Sequence, residues 1–466
     1  MHGAPFAAVS LLLFATLLPA QQALPTPAAP LPKEGFRARR EALAKALVAA
    51  HPDRGVVVLL RGAGKAADMG PFVQAQDFLY LTGVSEPDLA LLLVPGADGA
   101  LATDTLLVPP FSRFAATWDG DFLAPGEASA KRTGFAECGN VRALAERLGA
   151  LLGEGADGKR PLLLTATQPM PRTGGTPRKA ADTANEIRKD PLDGRMSRED
   201  AFVAALQKQF AGLEVRGLER TLGALRAQKS PAEQALLRRC SEIAGLGIAE
   251  AMRSVQPGDF EYQLAAAARF VFTLHGAGPD AYAAIVGGGP NGCILHYSAL
   301  TRQLRNDDLI VMDYAPTLHG YASDVTRTFP ASGTFSPEQR KLVQDVHDIQ
   351  QELIAMVKPG AKLSAIGVHC AELLVARGYQ NDHGPCHHVG LAVHDPSVDV
   401  LAAGMVITVE PGAYLRKAGM GCRIEDTILV TADGCEVLSS NVPSTPDAIE
   451  ALMKEAGLLD RLRAGK

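Results

Sequence analysis

Short apolar runs punctuate the chain, and their spacing decides the elements. Arg37 to Ala50 repeats its apolar positions at helical period and predicts an amphipathic helix. Gly55-Val56-Val57-Val58-Leu59-Leu60 predicts a buried strand, and the segments Gln76–Val84 and Ala90–Val94 follow, with turns at Glu86-Pro87 and Pro95-Gly96. Pro161 to Thr165 predicts one more short strand. Strands alternating with helices predict an α/β domain over residues 33–210. Within it, from Pro169 to Arg198, periodicity is lost among Pro, Gly, Lys, Arg and Asp. That stretch, near 165–200, is expected to be a loop-rich surface insertion whose basic residues Arg172, Arg178 and Lys179 are solvated.

From residue 211 the pattern changes. Lys229-Ser230-Pro231-Ala232-Glu233 places Ser at the N-cap, Pro at the first helical position and Glu at the third, a capping box. The helix it opens runs through Leu236, Ile243 and Met252 and stops before Pro257-Gly258. A second helix spans about Phe260 to His275, Ser336 caps a third, and Leu363 to Arg377 predicts a fourth. The glycine run Gly287-Gly288-Gly289-Pro290-Asn291-Gly292 lacks the Lys-Ser/Thr of a phosphate loop and any helix signature after it.

Between these helices, apolar runs end on acids. Leu309-Ile310-Val311-Met312 ends on Asp313; the chain turns through Pro316 and Gly320 and returns as Tyr321 to Phe329, carrying Asp324. This reads as a β-hairpin bringing Asp313 and Asp324 near each other. An ion pair with Arg327 is one explanation of such acids and a metal site is the other. Met405 to Val409 ends on Glu410, before Pro411-Gly412, and the strand Cys422 to Val430 carries Glu425 and Asp426 at its centre. Between them lies a histidine cluster with His383, His387, His388 and His394. Carboxylates so placed repel one another unless cations intervene. Oxygen donors with one imidazole suit a hard ion such as Mn²⁺.

The set Asp313, Asp324, His387, Glu410 and Glu425, in this order and in these contexts, resembles the metallopeptidases of pita-bread fold. Within them it most resembles aminopeptidase P, the Xaa-Pro aminopeptidases. The likeness runs from about Pro32 to the C-terminus and includes Gln76-Asp77-Phe78-Leu79-Tyr80-Leu81-Thr82-Gly83 with Glu86-Pro87 in the first domain. It implies an α/β N-terminal domain followed by an α+β pita-bread catalytic domain over 211–466, pseudo-symmetric with the metals between its halves. It implies two divalent ions, Mn²⁺ first with Co²⁺ or Zn²⁺ as alternatives. Asp324 and Glu425 would bridge them, Asp313 would chelate one, and His387 with Glu410 would complete the other. Spacing alone does not choose Glu425 over Asp426; the resemblance does. A hydroxide held between the ions would attack the carbonyl before proline, with Glu410 as proton shuttle. His296 and His394 would stabilise the tetrahedral intermediate, His383 would line the proline side, and Arg423 and Tyr414 would orient carboxylates. His388 has no matching role. Two small departures stand out, Ala315 for the family's usual glycine and Cys386 before the ligand histidine.

The implied substrate is a peptide with proline second and a free N-terminus, and relatives imply a homo-oligomer. Prolidase, cutting only Xaa-Pro dipeptides, shares all five ligands and is the alternative. A non-catalytic pita-bread module and a metal-free creatinase-like hydrolase are disfavoured by retention of all five. The net charge of −5 speaks against a nucleic-acid partner. Val9 to Leu18 followed by Pro19-Ala20-Gln21 fits a signal peptide over residues 1–20, although the segment before it has no Lys or Arg. The apolar stretch is too short to span a bilayer, so the protein is expected to be exported, with a Pro/Ala-rich tether over 21–32 and no stable membrane insertion. Seven cysteines, scattered singly, give no disulfide framework, and Cys386 is expected to be structural.

Overall fold

The computed structural model describes residues 26–65, 70–153, 159–169 and 174–465. The expected signal peptide, the first residues of the tether and Arg172 lie outside the described residues.

The N-terminal half is built on a six-stranded sheet. Its strands are β1 (Val56–Arg61), β2 (Ala90–Pro95), β3 (Leu101–Val108), β4 (Glu137–Asn140), β5 (Leu162–Thr165) and β6 (Val215–Gly217), in the order β4-β3-β2-β1-β5-β6. β1 explains the layering: Val56, Val58 and Leu60 enter one apolar cluster while Val57 and Leu59 enter another on the opposite face. A strand covered on both sides has no reason to alternate with polar residues, which is why its sequence is continuously apolar. β6 carries this sheet a few residues past the expected boundary at 210. Gln76–Thr82 is a short helix ended by Gly83 in the left-handed region (φ 67°), where an added Cβ would strike the Phe36 ring.

The loop-rich reading of the insertion needs correction. Pro177–Lys189 is a helix, with the Thr176 hydroxyl accepting from the Lys179 amide and Pro177 at the first position. No residue of this helix is fully buried. It therefore has no apolar stripe of core width, and that stripe is the signal by which a helix is recognised in sequence. Its charges are arranged along its own surface, including the pairs Arg178–Asp182 and Lys189–Glu186.

The catalytic half repeats one plan. The helices Pro231–Ser254 and Glu261–Leu274 precede β7 (Ile285–Gly288), β8 (Leu309–Asp313), the two-residue pair β9 (Thr317–Leu318) and β10 (Tyr321–Ala322), and β11 (Thr326–Pro330). The helices Pro337–Ala355 and Leu363–Ala376 precede β12 (Val406–Val409), β13 (Gly412–Leu415), β14 (Met420–Arg423), β15 (Asp426–Val430) and β16 (Cys435–Val437). Each half contributes a three-stranded antiparallel sheet, β11-β8-β7 and β12-β15-β16. The two meet where Thr326 and Glu425 exchange backbone hydrogen bonds. The Ser230 and Ser336 capping boxes are both present.

The halves of the chain are joined by buried charge. Arg226, just after the N-terminal sheet, bonds Asp77 of the short helix and Asp395 of the catalytic domain. Arg39 donates to Tyr321, which donates to Glu233 at 2.9 Å. At the N-terminus, the Ala28 carbonyl lies 2.8 Å from His319 Nε2 on the catalytic domain. No helix among the described residues is long and apolar enough to cross a membrane. All seven cysteines are free thiols.

Candidate metal centre and active site

The hairpin forms, with a break that matters. β8 pairs with β11 so that Asp313 faces Thr326, but Ser323 to Val325 leave the ladder. Asp324 sits in that gap. The Thr427 hydroxyl pins its backbone, donating to the Asp324 carbonyl at 2.7 Å and accepting from its amide at 3.2 Å. Asp313 and Asp324 are thereby brought together: the Tyr282 hydroxyl lies 2.6 Å from Oδ1 of each.

Glu410 follows β12 directly, and Glu425 fills the junction between β14 and β15. His387 reaches both halves, with Nε2 3.4 Å from Asp324 Oδ2 and 3.3 Å from Glu410 Oε1. Ligand atoms of Asp324, His387 and Glu425 all lie within 4.8 Å of one another. Arg423 ties the wall together. Its guanidinium donates to Asp313 Oδ2 (2.7 Å), to the Tyr414 hydroxyl (3.0 Å) and to Thr326 Oγ1 (3.2 Å). His383 Nε2 meets the same Tyr414 hydroxyl at 3.0 Å, and its Nδ1 stands 3.9 Å from Glu410 Oε2. The His394 ring lies against His387, centroids 4.2 Å apart. His296 is more exposed and lines the same cavity of about 1010 Å³. His388 turns away, its Nε2 3.0 Å from the Val398 carbonyl.

The ion pair between these aspartates and Arg327 does not form. Arg327 bonds Asp426 Oδ1 at 2.6 Å and the Glu425 carbonyl at 2.7 Å. The reason is strand alternation: Thr326 points into the site, so its neighbour Arg327 points to the other face. The same alternation separates Glu425 from Asp426, which is fully engaged by Arg327, Ser439 and Gln350.

The carboxylates repel one another across the site. Burial and the nearby Asp324 push the Asp313 carboxyl up to about 6. Burial lifts Glu410 to about 7, against the pull of His387 and Arg423. Glu425 rises well above its ordinary value through burial and three neighbouring acids. Asp324 alone falls: burial is its largest single influence and would raise it, but the hydrogen bonds from His387 and Tyr282 and the charges of His387 and His394 together outweigh it. Glu425 Oε2 accepts from Thr326 Oγ1 at 2.7 Å, whereas its buried Oε1 has no hydrogen-bond partner among the described residues. An orphaned carboxylate oxygen facing three other acids fits a cation, and four carboxylates with one imidazole fit a hard divalent one.

Two residues escaped the sequence reading. Tyr282 lies outside the strands, where no periodicity marks it. Thr326 had a signal, being two positions from Asp324 and so on its face of an extended chain.

Comparison with known proteins agrees with this geometry. The model of metallopeptidase family M24 matches residues 235–432, and that of the aminopeptidase P N-terminal domain matches residues 36–159. Xaa-Pro aminopeptidase of Haemophilus influenzae is 30% identical over 419 residues, 82% of this chain and 89% of that protein. The chain belongs to the aminopeptidase P family. Xaa-Pro aminopeptidase of Escherichia coli is 36% identical over 266 residues, 50% of this chain and 60% of that protein. Zn-substituted E. coli aminopeptidase P in complex with product superposes with a TM-score of 0.75 at 29% identity, over 91% of this chain and 99% of that one. As a family member the chain is a metal-dependent hydrolase and an Xaa-Pro aminopeptidase, with the two-domain, pita-bread architecture the resemblance implied.

Proposed function

We propose that this aminopeptidase works with two divalent ions held by Asp313, Asp324, His387, Glu410 and Glu425. The observation that carries the reading is the convergence of all five on one cavity, with Glu425 Oε1 left unpartnered. Mn²⁺ suits the oxygen-rich set, with Co²⁺ or Zn²⁺ as alternatives. When bound, such ions supply Lewis acidity, acidifying water and polarising the scissile carbonyl.

The chain's own residues do the rest. Asp324 and Glu425 each have two oxygens and would be shared between the ions, while Asp313 would complete one and His387 with Glu410 the other. Arg423 and Tyr282 fix the rotamer of Asp313, and Thr326 fixes Glu425. Glu410 takes the proton of the attacking water and delivers it to the leaving proline nitrogen. His383 and His394 are held at about 4, chiefly by burial, so both are neutral at pH 7. We assign His394 and His296 to stabilising the tetrahedral intermediate and His383 to packing beside the proline ring.

Proline lacks an amide N–H, so a site built for it need offer no acceptor there. The test compares an Xaa-Pro-Xaa peptide, its N-acetylated form and Xaa-Ala-Xaa with metal-loaded enzyme. Rapid cleavage of the first alone is expected; rapid cleavage of either control overturns the reading, and cleavage of Xaa-Pro dipeptides alone would establish prolidase instead.

We further propose that residues 1–20 direct export and that the protein associates with copies of itself. The latter is supported by Phe111, Phe114 and Trp118, which are 67%, 75% and 74% exposed around one short helix.

A further inference from the structure

The insertion helix Pro177–Lys189 falls between the two matched family models, which end at 159 and begin again at 235. Its approach to the active site is nonetheless close. Gly174 N donates to the Ala281 carbonyl at 3.1 Å, and a Cβ on Gly174 would stand 3.0 Å from Cβ of Tyr282, the residue that bridges Asp313 and Asp324. Gly174 (φ 34°) and Gly175 (φ 88°) both have positive φ, and Gly174 and Gly175 line the cavity together with His394. The loop is thus seated on the wall of the metal centre, and it aims the helix along the cavity.

The helix shows that cavity one face. Thr176, Lys179, Ala180, Thr183, Ala184 and Ile187 line it, a spacing of three and one that follows a helical stripe. The stripe is small and weakly polar except for Lys179. The other charges pair along the helix or with its neighbour: Arg178 with Asp182, Lys189 with Glu186, and Arg188 with Asp200. Among the described residues the Lys179 ammonium has neither an ion-pair nor a hydrogen-bond partner, and it is near enough to act on His296, whose pKa is lowered by burial, Arg423 and Lys179.

We infer that Lys179 is a specificity-determining residue that attracts the C-terminal carboxylate of a short peptide substrate, so that this enzyme favours tripeptides and similar short free acids. The inference rests on the aminopeptidase reading above. Of the cations on the cavity wall, Arg423 is committed to Asp313 and Arg198 donates to the Gly62 carbonyl, whereas Lys179 projects from the helix stripe, where it repels the substrate's N-terminal ammonium and attracts its carboxylate and so biases both orientation and length. Glu199 also lines the cavity, and its negative charge discourages the carboxylate from binding at that part of the wall.

The experiment measures kcat/KM for Ala-Pro-Ala and for its C-terminal amide with metal-loaded wild type, Lys179→Met, Lys179→Arg and Lys179→Glu. The exposed site limits the effect to that of a surface ion pair, so the acid should be preferred by roughly 3- to 5-fold, carried in KM. Lys179→Arg should keep the preference, Lys179→Met abolish it and Lys179→Glu reverse it. Raising salt should erode the wild-type preference, since the pair is solvent-accessible. A wild type with no preference, or one that survives unchanged in Lys179→Met, overturns the inference while leaving the aminopeptidase reading intact. If wild type cleaves neither peptide, the reading itself is overturned and the inference with it.

Discussion

Replacing Arg226 with methionine tests the joint between the two halves of the chain. Arg226 is 2% exposed; its Nη1 donates to Asp77 Oδ1 at 2.7 Å, and its Nη2 bonds Asp395. Methionine fills much of the volume, so the loss is electrostatic. Asp77 is partly open to water, but the Asp395 side chain is 1% exposed and would retain only Lys229 at 3.4 Å and the Ala392 amide at 3.2 Å. Removing one partner of a buried pair typically costs ~3–5 kcal/mol. The remaining Lys229 contact places the expectation at the low end, about 3 kcal/mol, in urea denaturation followed by far-ultraviolet circular dichroism. The pH dependence gives a second check. In the wild type Asp395 is buried, which alone would raise its pKa, but Arg226 and Lys229 hold it below the usual carboxylate range. A depressed carboxylate contributes stability above its unfolded pKa of about 3.9 and loses it only as pH falls through the lower folded value. Its contribution in the wild type is therefore constant from pH 7.5 to 5. Without Arg226 the carboxyl is freer to take a proton, so the variant's deficit should shrink over that range. A deficit under about 1 kcal/mol at pH 7.5, the size of a surface pair, would refute the reasoning.

Glu410→Gln keeps the size and one oxygen donor of the side chain but cannot carry a proton; turnover should fall by ~10²–10⁴-fold with bound metal measured alongside, and near-normal turnover would assign the proton elsewhere. Replacing Phe114 and Trp118 together with serine should shift the protein to a smaller species in light scattering, and an unchanged mass would remove that face from the interface. Intact-mass measurement of protein from its native host should give a chain beginning near Gln21, whereas retention of Met1 in the cytoplasm would rule out export.

The parts of this molecule that repeat a local rule were readable from the sequence. Ser230 and Ser336 announce their helices through capping chemistry confined to four residues, and both boxes are present. β8 and β12 were visible because buried strands are almost continuously apolar, and each leads to an acid at its end. What was not readable depends on the direction in which a side chain points. Arg327 was a plausible partner for the aspartates by proximity along the chain, but the break at Ser323 to Val325 and the return to strand at Thr326 put it on the opposite face, against Asp426. The insertion helix carries no apolar stripe of core width because it faces an open cavity rather than a core, and a helix without that stripe looks like a loop. Tyr282 is set by tertiary packing alone.

The central claim is that five side chains from two strand systems form one centre for two ions. Titrating metal-free protein with Mn²⁺ and counting ions bound per chain, for wild type and Asp324→Ala, tests it most directly. Asp324 is the residue whose carboxylate lies near both Asp313, through Tyr282, and His387. On the proposed bridging role, its removal would take a donor from each ion at once. The account predicts two ions per wild-type chain and neither retained in Asp324→Ala. One ion or none in the wild type, or undiminished binding in the variant, would contradict it.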